Sequence, residues 1–243
     1  MQYFLLNYRL SGNQKFNTMK KSIVLGLAVL AFFSCKKEED PTLVECAPEI
    51  TVQDYMPMAI GNYWVYEHVK IDSAGNESKL GLIDSIRITR KETLRGNEYY
   101  VFEGTRQPII NNKGIVHKLR DSLGYLVNSG GNALMSVVNF TDTIFKYRDP
   151  SDSNWITKSH GIMETERTVV IEGIGPVRVI NSAGYFEHNK NRFPQSQRLK
   201  VKINNYYTKG VGLILDTYFW SSDFLNSGNI IERRLVKYHI EKE

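Results

Sequence analysis

Short runs of alternating apolar and polar residues dominate the chain from about Asp54 onward. Residues 63–71 and 80–88 each alternate with period two, and residues 164–172, 198–208, 211–220 and 230–240 form further short runs of this kind. A period of two predicts β-strands with one face turned towards a core. Between the first two runs lies Asp72-Ser73-Ala74-Gly75-Asn76, whose glycine and asparagine tolerate positive φ. This segment therefore predicts a hairpin turn.

No window of 12 or more residues after the first 34 has the i, i+3, i+4, i+7 spacing of an amphipathic helix. The pattern therefore predicts an all-β fold with little helix. Strands joined by short turns favour an antiparallel meander, packed as a sandwich or curled into a barrel or half-barrel. No polar or proline-rich linker divides residues 54–243, so we expect them to form a single domain.

The N-terminal region has a different pattern. Met19-Lys20-Lys21 precedes an apolar run, 23–33, of 11 residues, which is too short to span a bilayer as a helix. A positive segment, a short apolar segment and then small residues are typical of a secretory signal. With Ser34-Cys35 at its end, the segment resembles a bacterial lipoprotein signal. The resemblance implies that residues 19–34 are removed and that Cys35 is acylated, with up to three acyl chains. Residues 1–18 are expected to be an over-long start without a folded role.

The segment after the cysteine is charged and ends in proline. Lys36-Lys37-Glu38-Glu39-Asp40-Pro41 cannot bury itself, so residues 35–53 are predicted to be a solvated tether. The Lys-plus-acid sequence resembles export signals of some Gram-negative lipoproteins. That resemblance implies an outer-membrane location, on the periplasmic or the cell-surface face. Cys46 has no second cysteine to pair with once Cys35 is acylated, so we expect an inert or intermolecular thiol.

Net charge changes once the signal is removed. The first 34 residues carry four of the 31 lysines and arginines and none of the 26 acidic residues, which leaves 27 basic side chains. The remaining chain is almost neutral and lacks the concentrated positive field that binding to a phosphate backbone needs. Nucleic acid is therefore not an expected partner.

Two segments resemble motifs of a group of exported bacterial β proteins, many of them lipoproteins. Gly61 to Tyr66 reads G-x-x-W-x-Y, and Tyr207 to Leu213 reads Y-x-x-G-V-G-L. The resemblance implies an exported all-β fold and no particular activity. The motif glycines suit a tight turn or bulge, and the aromatic residues supply apolar area for a core.

Known catalytic motifs are missing from the sequence. It contains no H-E-x-x-H, G-x-S-x-G, Walker or C-x-x-C motif, and its five histidines are scattered singly. We therefore predict no catalytic residue, no metal and no cofactor. Glu164 and Glu166 share a predicted strand face, and a carboxylate pair can hydrolyse glycosides. A glycan hydrolase is accordingly kept as a weak alternative.

Aromatic residues supply the remaining candidate site, because their rings can stack on a sugar or line an apolar cavity. Packing in the core is the competing interpretation, since strands favour aromatic residues. The candidates are Trp64, Tyr66, Tyr207, Tyr218 and Trp220, of which the last three are expected to face outward or into a cavity.

The sequence thus favours a membrane-anchored, non-enzymatic binding or accessory module of the cell envelope. Beyond the membrane itself, its expected partners are an envelope protein, a glycan or a lipid. A second hypothesis is a carrier of an acyl chain or other apolar ligand, resembling periplasmic lipoprotein-carrier half-barrels. The carrier needs a continuous apolar cavity, whereas the accessory module does not.

Overall fold

The computed structural model describes residues 50–105, 114–148, 156–172, 174–189, 191, 200–218 and 228–241. Residues 50–243 belong to one compact unit. The described residues form one short helix and twelve strands: α1 (Val52–Tyr55), β1 (Tyr63–Ile71), β2 (Glu77–Leu94), β3 (Asn97–Thr105), β4 (Ile115–Ser122), β5 (Tyr125–Asn128), β6 (Ala133–Ser136), β7 (Thr143–Arg148), β8 (Ile156–Ile171), β9 (Gly175–His188), β10 (Lys200–Thr208), β11 (Gly212–Tyr218) and β12 (Ile230–His239).

All twelve strands belong to one antiparallel sheet. Their order is β6-β5-β4-β3-β2-β1-β12-β11-β10-β9-β8-β7. The first strand therefore pairs with the last, and two six-strand meanders extend from this central pair. The all-β antiparallel meander predicted from the alternation of residues is confirmed.

The two edge strands of the sheet, β6 and β7, follow one another in the chain. The hydroxyl of Ser182 on β9 donates a hydrogen bond of 2.6 Å to the carbonyl of Leu134 on β6, which joins the two halves across the interior. The sheet is thus nearly closed into a barrel. Of the sandwich, barrel and half-barrel left open by the sequence, the barrel is the arrangement found.

Because the strands run up and down, connections after odd-numbered strands lie at one end of the barrel and those after even-numbered strands at the other. The predicted turn at 72–76 lies at the first of these ends, which we call the far end. There the Asp72 carboxylate accepts hydrogen bonds from the backbone N–H groups of Ala74 and Asn76, each 2.8 Å long. Gly75 has a φ of +87°, a conformation that favours glycine.

Helix α1 packs at the opposite end, called here the α1 end. The N–H of Gly210, in the β10–β11 turn, donates a 2.6 Å hydrogen bond to the carbonyl of Asp54. Val52 and Met58, from α1 and the segment that follows it, are buried in the same core as Trp64 and Ile214. The segment before β1 therefore fills this end of the barrel. Among the described residues, no helix has the length and apolar character needed to cross a membrane.

The long β8–β9 hairpin reaches the outer surface of the sheet. Its register shifts between Glu164 and Arg167. Beyond the shift, Arg167 donates a 2.6 Å hydrogen bond to the Tyr206 hydroxyl on β10, and Glu172 lies 3.0 Å from Arg234 on β12. The end of the hairpin thus covers the outer face of β10–β12 and helps to bury Arg234.

Candidate functional site

The strand register brings a row of polar residues onto one face of five neighbouring strands. Ser182 pairs with Asn205, Asn205 with Asp216, Asp216 with Arg233, and Arg233 with His68. Directly opposed residues project from the same face of a sheet. That face is the barrel interior, because four of these five side chains are buried. With Asp84 of β2, which contacts His68, the row forms the polar belt: His68, Asp84, Ser182, Asn205, Asp216 and Arg233.

Arg233 is the central cation of the polar belt. Its Nε and Nη2 donate to the two carboxylate oxygens of Asp216, at 3.0 and 2.6 Å, and its Nη1 lies 3.5 Å from Asp84 Oδ2. The guanidinium also lies over the Tyr66 ring, 4.4 Å from the ring centroid. Burial alone would lower the pKa of Arg233, but its polar neighbours, with Asp216 foremost and Asp84 contributing, together outweigh burial and raise that pKa above its ordinary value. The side chain therefore stays cationic inside the barrel.

His68 connects a phenol to a carboxylate. Its Nδ1 lies 2.7 Å from the Tyr218 hydroxyl, and its Nε2 lies 3.1 Å from Asp84 Oδ2. The second Asp84 oxygen, Oδ1, is buried and has no hydrogen-bond partner among the described residues. A buried, unpaired carboxylate oxygen is costly. Asp84 therefore depends on His68 and Arg233 for its stability inside the core.

A chain of phenol, imidazole and carboxylate can pass a proton, but substrate must reach it for catalysis. The side chains of His68, Asp84, Asp216 and Arg233 are each at most 4 % exposed. In the part of the chain that the structure describes, no three His, Cys, Asp or Glu side chains are placed to hold a metal ion. In this structure the four side chains are thus almost completely covered from solvent.

Four of the five predicted aromatic site residues lie among the described residues, and their side chains are not exposed to solvent. Trp64, Tyr66, Tyr207 and Tyr218 are all buried. The Trp64 indole N–H donates to the Val211 carbonyl at 2.6 Å, and the Tyr66 hydroxyl donates to the Leu213 carbonyl at 2.9 Å.

Tyr207 and Tyr218 were expected to face outward or into a cavity; both are buried, and orientation towards a cavity stays a prediction. A ligand-binding role for these four residues stays a prediction. Trp220, Cys35 and Cys46 lie outside the described residues.

The carboxylates kept for the hydrolase alternative are both in ion pairs. Glu164 pairs with Lys202 and accepts a 2.8 Å hydrogen bond from Asn181, while Glu166 pairs with Arg178. Burial would raise the pKa of Glu164, but the hydrogen bonds from Lys202 and Asn181 outweigh burial and lower it. A general acid needs the opposite shift. This geometry gives the hydrolase alternative no support.

Sequence reasoning passed over Asp84, Asp216 and Arg233, and treated His68 as one of several isolated histidines. A signal was present in the alternation itself. Every second residue of a strand faces the same side, and each of these residues is the one charged or imidazole side chain in such a row of apolar or aromatic residues. The rows are 64, 66 and 68 for His68; 80, 82, 84, 86 and 88 for Asp84; 214, 216 and 218 for Asp216; and 231, 233 and 235 for Arg233. A charge at a core position indicates a buried partner, although the sequence does not say which strand supplies it.

Comparisons with known proteins gave structural similarities alone. No family model and no curated protein matches the sequence. The chain is similar to a predicted exported protein with a YmcC-like fold from Bacteroides fragilis, at 10% identity over 76% of this chain and 98% of that one, with a TM-score of 0.43.

Two further solved structures show a weaker likeness. A predicted lipoprotein from Parabacteroides distasonis is 13% identical over 75% of this chain and 97% of that one, with a TM-score of 0.37. LprF from Mycobacterium bovis is 10% identical over 79% of this chain and 92% of that one, with a TM-score of 0.25. At these TM-scores, none of the three similarities carries a conclusion about the present chain.

Proposed function

We propose that this protein is a lipid-anchored, non-enzymatic binding or accessory module of the cell envelope, held at the outer membrane through Cys35. The anchor is supported by the sequence, in which Ser34-Cys35 follows two lysines and a short apolar run. Two or more acyl chains attach a protein durably to a bilayer. The β domain then works at the membrane surface.

The observation that supports the choice of an accessory module is the aromatic and charged character of the interior of the described barrel. Trp64 and Phe102 stack there with ring centroids 6.2 Å apart, and both side chains are almost fully buried. Next to this apolar core runs the polar belt, with Arg233 and two carboxylates. An acyl chain laid across the belt would remain beside buried charges, which is unfavourable. Partners are therefore proposed to bind the outer surface or the ends of the barrel.

Membrane fractionation tests the anchor. Replacement of Cys35→Ala, or treatment of cells with globomycin, should move the protein from the membrane fraction to the soluble fraction. Cys46→Ala is the matched control, because it removes the chain's other thiol and should leave the protein in the membrane. Unchanged membrane retention of the Cys35→Ala protein would remove the basis of the proposal.

Analysis of bound lipid separates the accessory module from the carrier. The Cys35→Ala protein, purified without detergent, is extracted with organic solvent and the extract is examined by mass spectrometry. We expect no lipid in molar proportion to the protein. A stoichiometric fatty acid or phospholipid would instead favour the carrier hypothesis.

A further inference from the structure

Several exposed apolar side chains of the described residues lie at the α1 end of the barrel. Besides Ile174 in the β8–β9 turn, these side chains include the five that we call the apolar rim: Ile50, Ile60, Leu123, Val138 and Tyr238. At the far end, the described connections 72–76 and 129–132 contain no large exposed apolar residue. Single exposed apolar residues are ordinary, but several of them at one end of a barrel point to an interaction surface.

Leu123 is the most exposed member of the apolar rim. It occupies the β4–β5 turn, where its side chain is 93 % exposed and its φ is +55°. This left-handed conformation is uncommon for leucine, and turns usually place glycine, asparagine or aspartate there. Packing within the chain does not explain a leucine at this position. A contact of Leu123 with a surface outside the chain would explain the leucine.

Val138 extends the surface around Leu123. It follows β6 and is 57 % exposed. A Cβ added to Gly124, the residue after Leu123, would lie only 2.6 Å from a Val138 methyl group. The missing side chain at Gly124 therefore lets Val138 pack directly against the turn. Leu123 and Val138 therefore belong to adjoining segments at the same end of the barrel.

The end at which the N-terminal segment enters the barrel indicates what covers this surface. The chain passes from α1 into β1 at the α1 end, and Ile50 follows Cys35 by 15 positions. A segment of that length spans at most about 50 Å. The tether can thus bring the barrel onto the bilayer, but it leaves the orientation open. The apolar rim supplies an orientation, because burying it in the headgroup region removes apolar area from water.

We propose that the α1 end of the barrel rests on the lipid bilayer, with Leu123 and Val138 inserted into the headgroup region and the far end directed away from the membrane. This inference rests on the proposed lipid anchor at Cys35. Basic and acidic side chains both occur at the α1 end, among them Arg95, Lys209 and Glu98. The contact therefore depends on the apolar groups and should form on an uncharged bilayer.

Site-specific fluorescence tests the orientation in the acylated, full-length protein. In a Cys46→Ser background, Leu123→Cys, Val138→Cys and Ser73→Cys each carry an environment-sensitive nitrobenzoxadiazole label. Ser73 is the matched control, because it is an exposed residue of the far-end turn between β1 and β2. The proteins are reconstituted on phosphatidylcholine liposomes that contain doxyl-labelled phosphatidylcholine as a quencher.

The labels at 123 and 138 should emit at shorter wavelength and be quenched by the doxyl lipid, while the label at 73 should show neither effect. Equal quenching at both ends, quenching at 73 alone, or quenching at none of the sites would overturn the proposed orientation. Flotation of the liposomes separates the two proposals. Protein that does not float with the lipid contradicts the anchor, whereas floating protein with an unquenched label at 123 contradicts the orientation alone.

Discussion

Arg233 and Arg234 are consecutive residues with opposite environments, and their replacement by methionine gives a sharp test of the polar belt. Arg233 faces the interior, where its side chain is 3 % exposed and its partners Asp216 and Asp84 are 4 % and 0 % exposed. Arg234 faces the outer surface and is itself covered, but two of its partners, Glu77 and Glu172, are 47 % and 63 % exposed. A methionine of similar length keeps most of the packing at either site.

Arg233→Met removes the cation and leaves two buried carboxylates without it. Breaking one side of a buried, hydrogen-bonded ion pair costs about 3–5 kcal/mol. Arg234→Met leaves carboxylates that can turn into water, so it should cost about 1 kcal/mol. If Asp216→Leu is added to Arg233→Met, one of the two buried anions is removed as well, and Asp84 keeps its contact with His68. The double variant should then be less destabilised than the sum of the two single changes.

Urea unfolding of the unlipidated Cys35→Ala protein measures these differences, followed by tryptophan fluorescence and far-UV circular dichroism. The variants Arg233→Met, Arg234→Met and Asp216→Leu, the double variant and the parent should unfold with similar m-values, so that the midpoints report stability. A variant already unfolded without urea counts as a large loss, provided that Arg234→Met is folded. If Arg233→Met costs no more than Arg234→Met, the polar belt does not stabilise the barrel as argued.

Three further predictions concern separate parts of the barrel. The Thr51 backbone N–H lowers the pKa of Asp54. Asp54 therefore stabilises the fold above its ordinary pKa of 3.8, and this stability is lost as the pH falls through the lowered value. Asp54→Asn should cost about 0.5–1 kcal/mol at pH 7, and urea titration at several pH values should show a flatter acid side of the stability profile. Gly161→Ala places a Cβ 2.0 Å from the Phe145 ring. The thermal midpoint of unfolding should therefore fall by an amount equivalent to about 1–3 kcal/mol. A midpoint equal to that of the parent would show that the ring can move aside. Trp64→Phe removes the hydrogen bond from the indole N–H and leaves the partly buried carbonyl of Val211 without this donor. Chemical denaturation should therefore show a loss of about 1–3 kcal/mol, and a neutral result would mean that the carbonyl finds another donor.

The all-β meander was accessible from the sequence because strand periodicity and turn chemistry are local properties. Alternation at 63–71 and the Asp72–Asn76 cluster define β1 and its turn without reference to the rest of the chain. The prediction left sandwich, barrel and half-barrel open, because closure depends on β1 pairing with β12 and on β6 meeting β9. Both contacts join residues far apart in the sequence, and no local pattern specifies them.

The candidate site shows the same division. The sequence by itself determined that Trp64 and Tyr66 are large aromatic residues on a strand and that Cys35 ends a lipoprotein-like signal. The tertiary structure decided that the rings lie inside the barrel and that His68 meets Tyr218, 150 positions away, and Asp84, 16 positions away. Burial of a charge is stable only where a partner of opposite charge or a hydrogen-bonding group is placed beside it. That placement is set by strand register across the barrel, which the order of residues in a single strand does not contain.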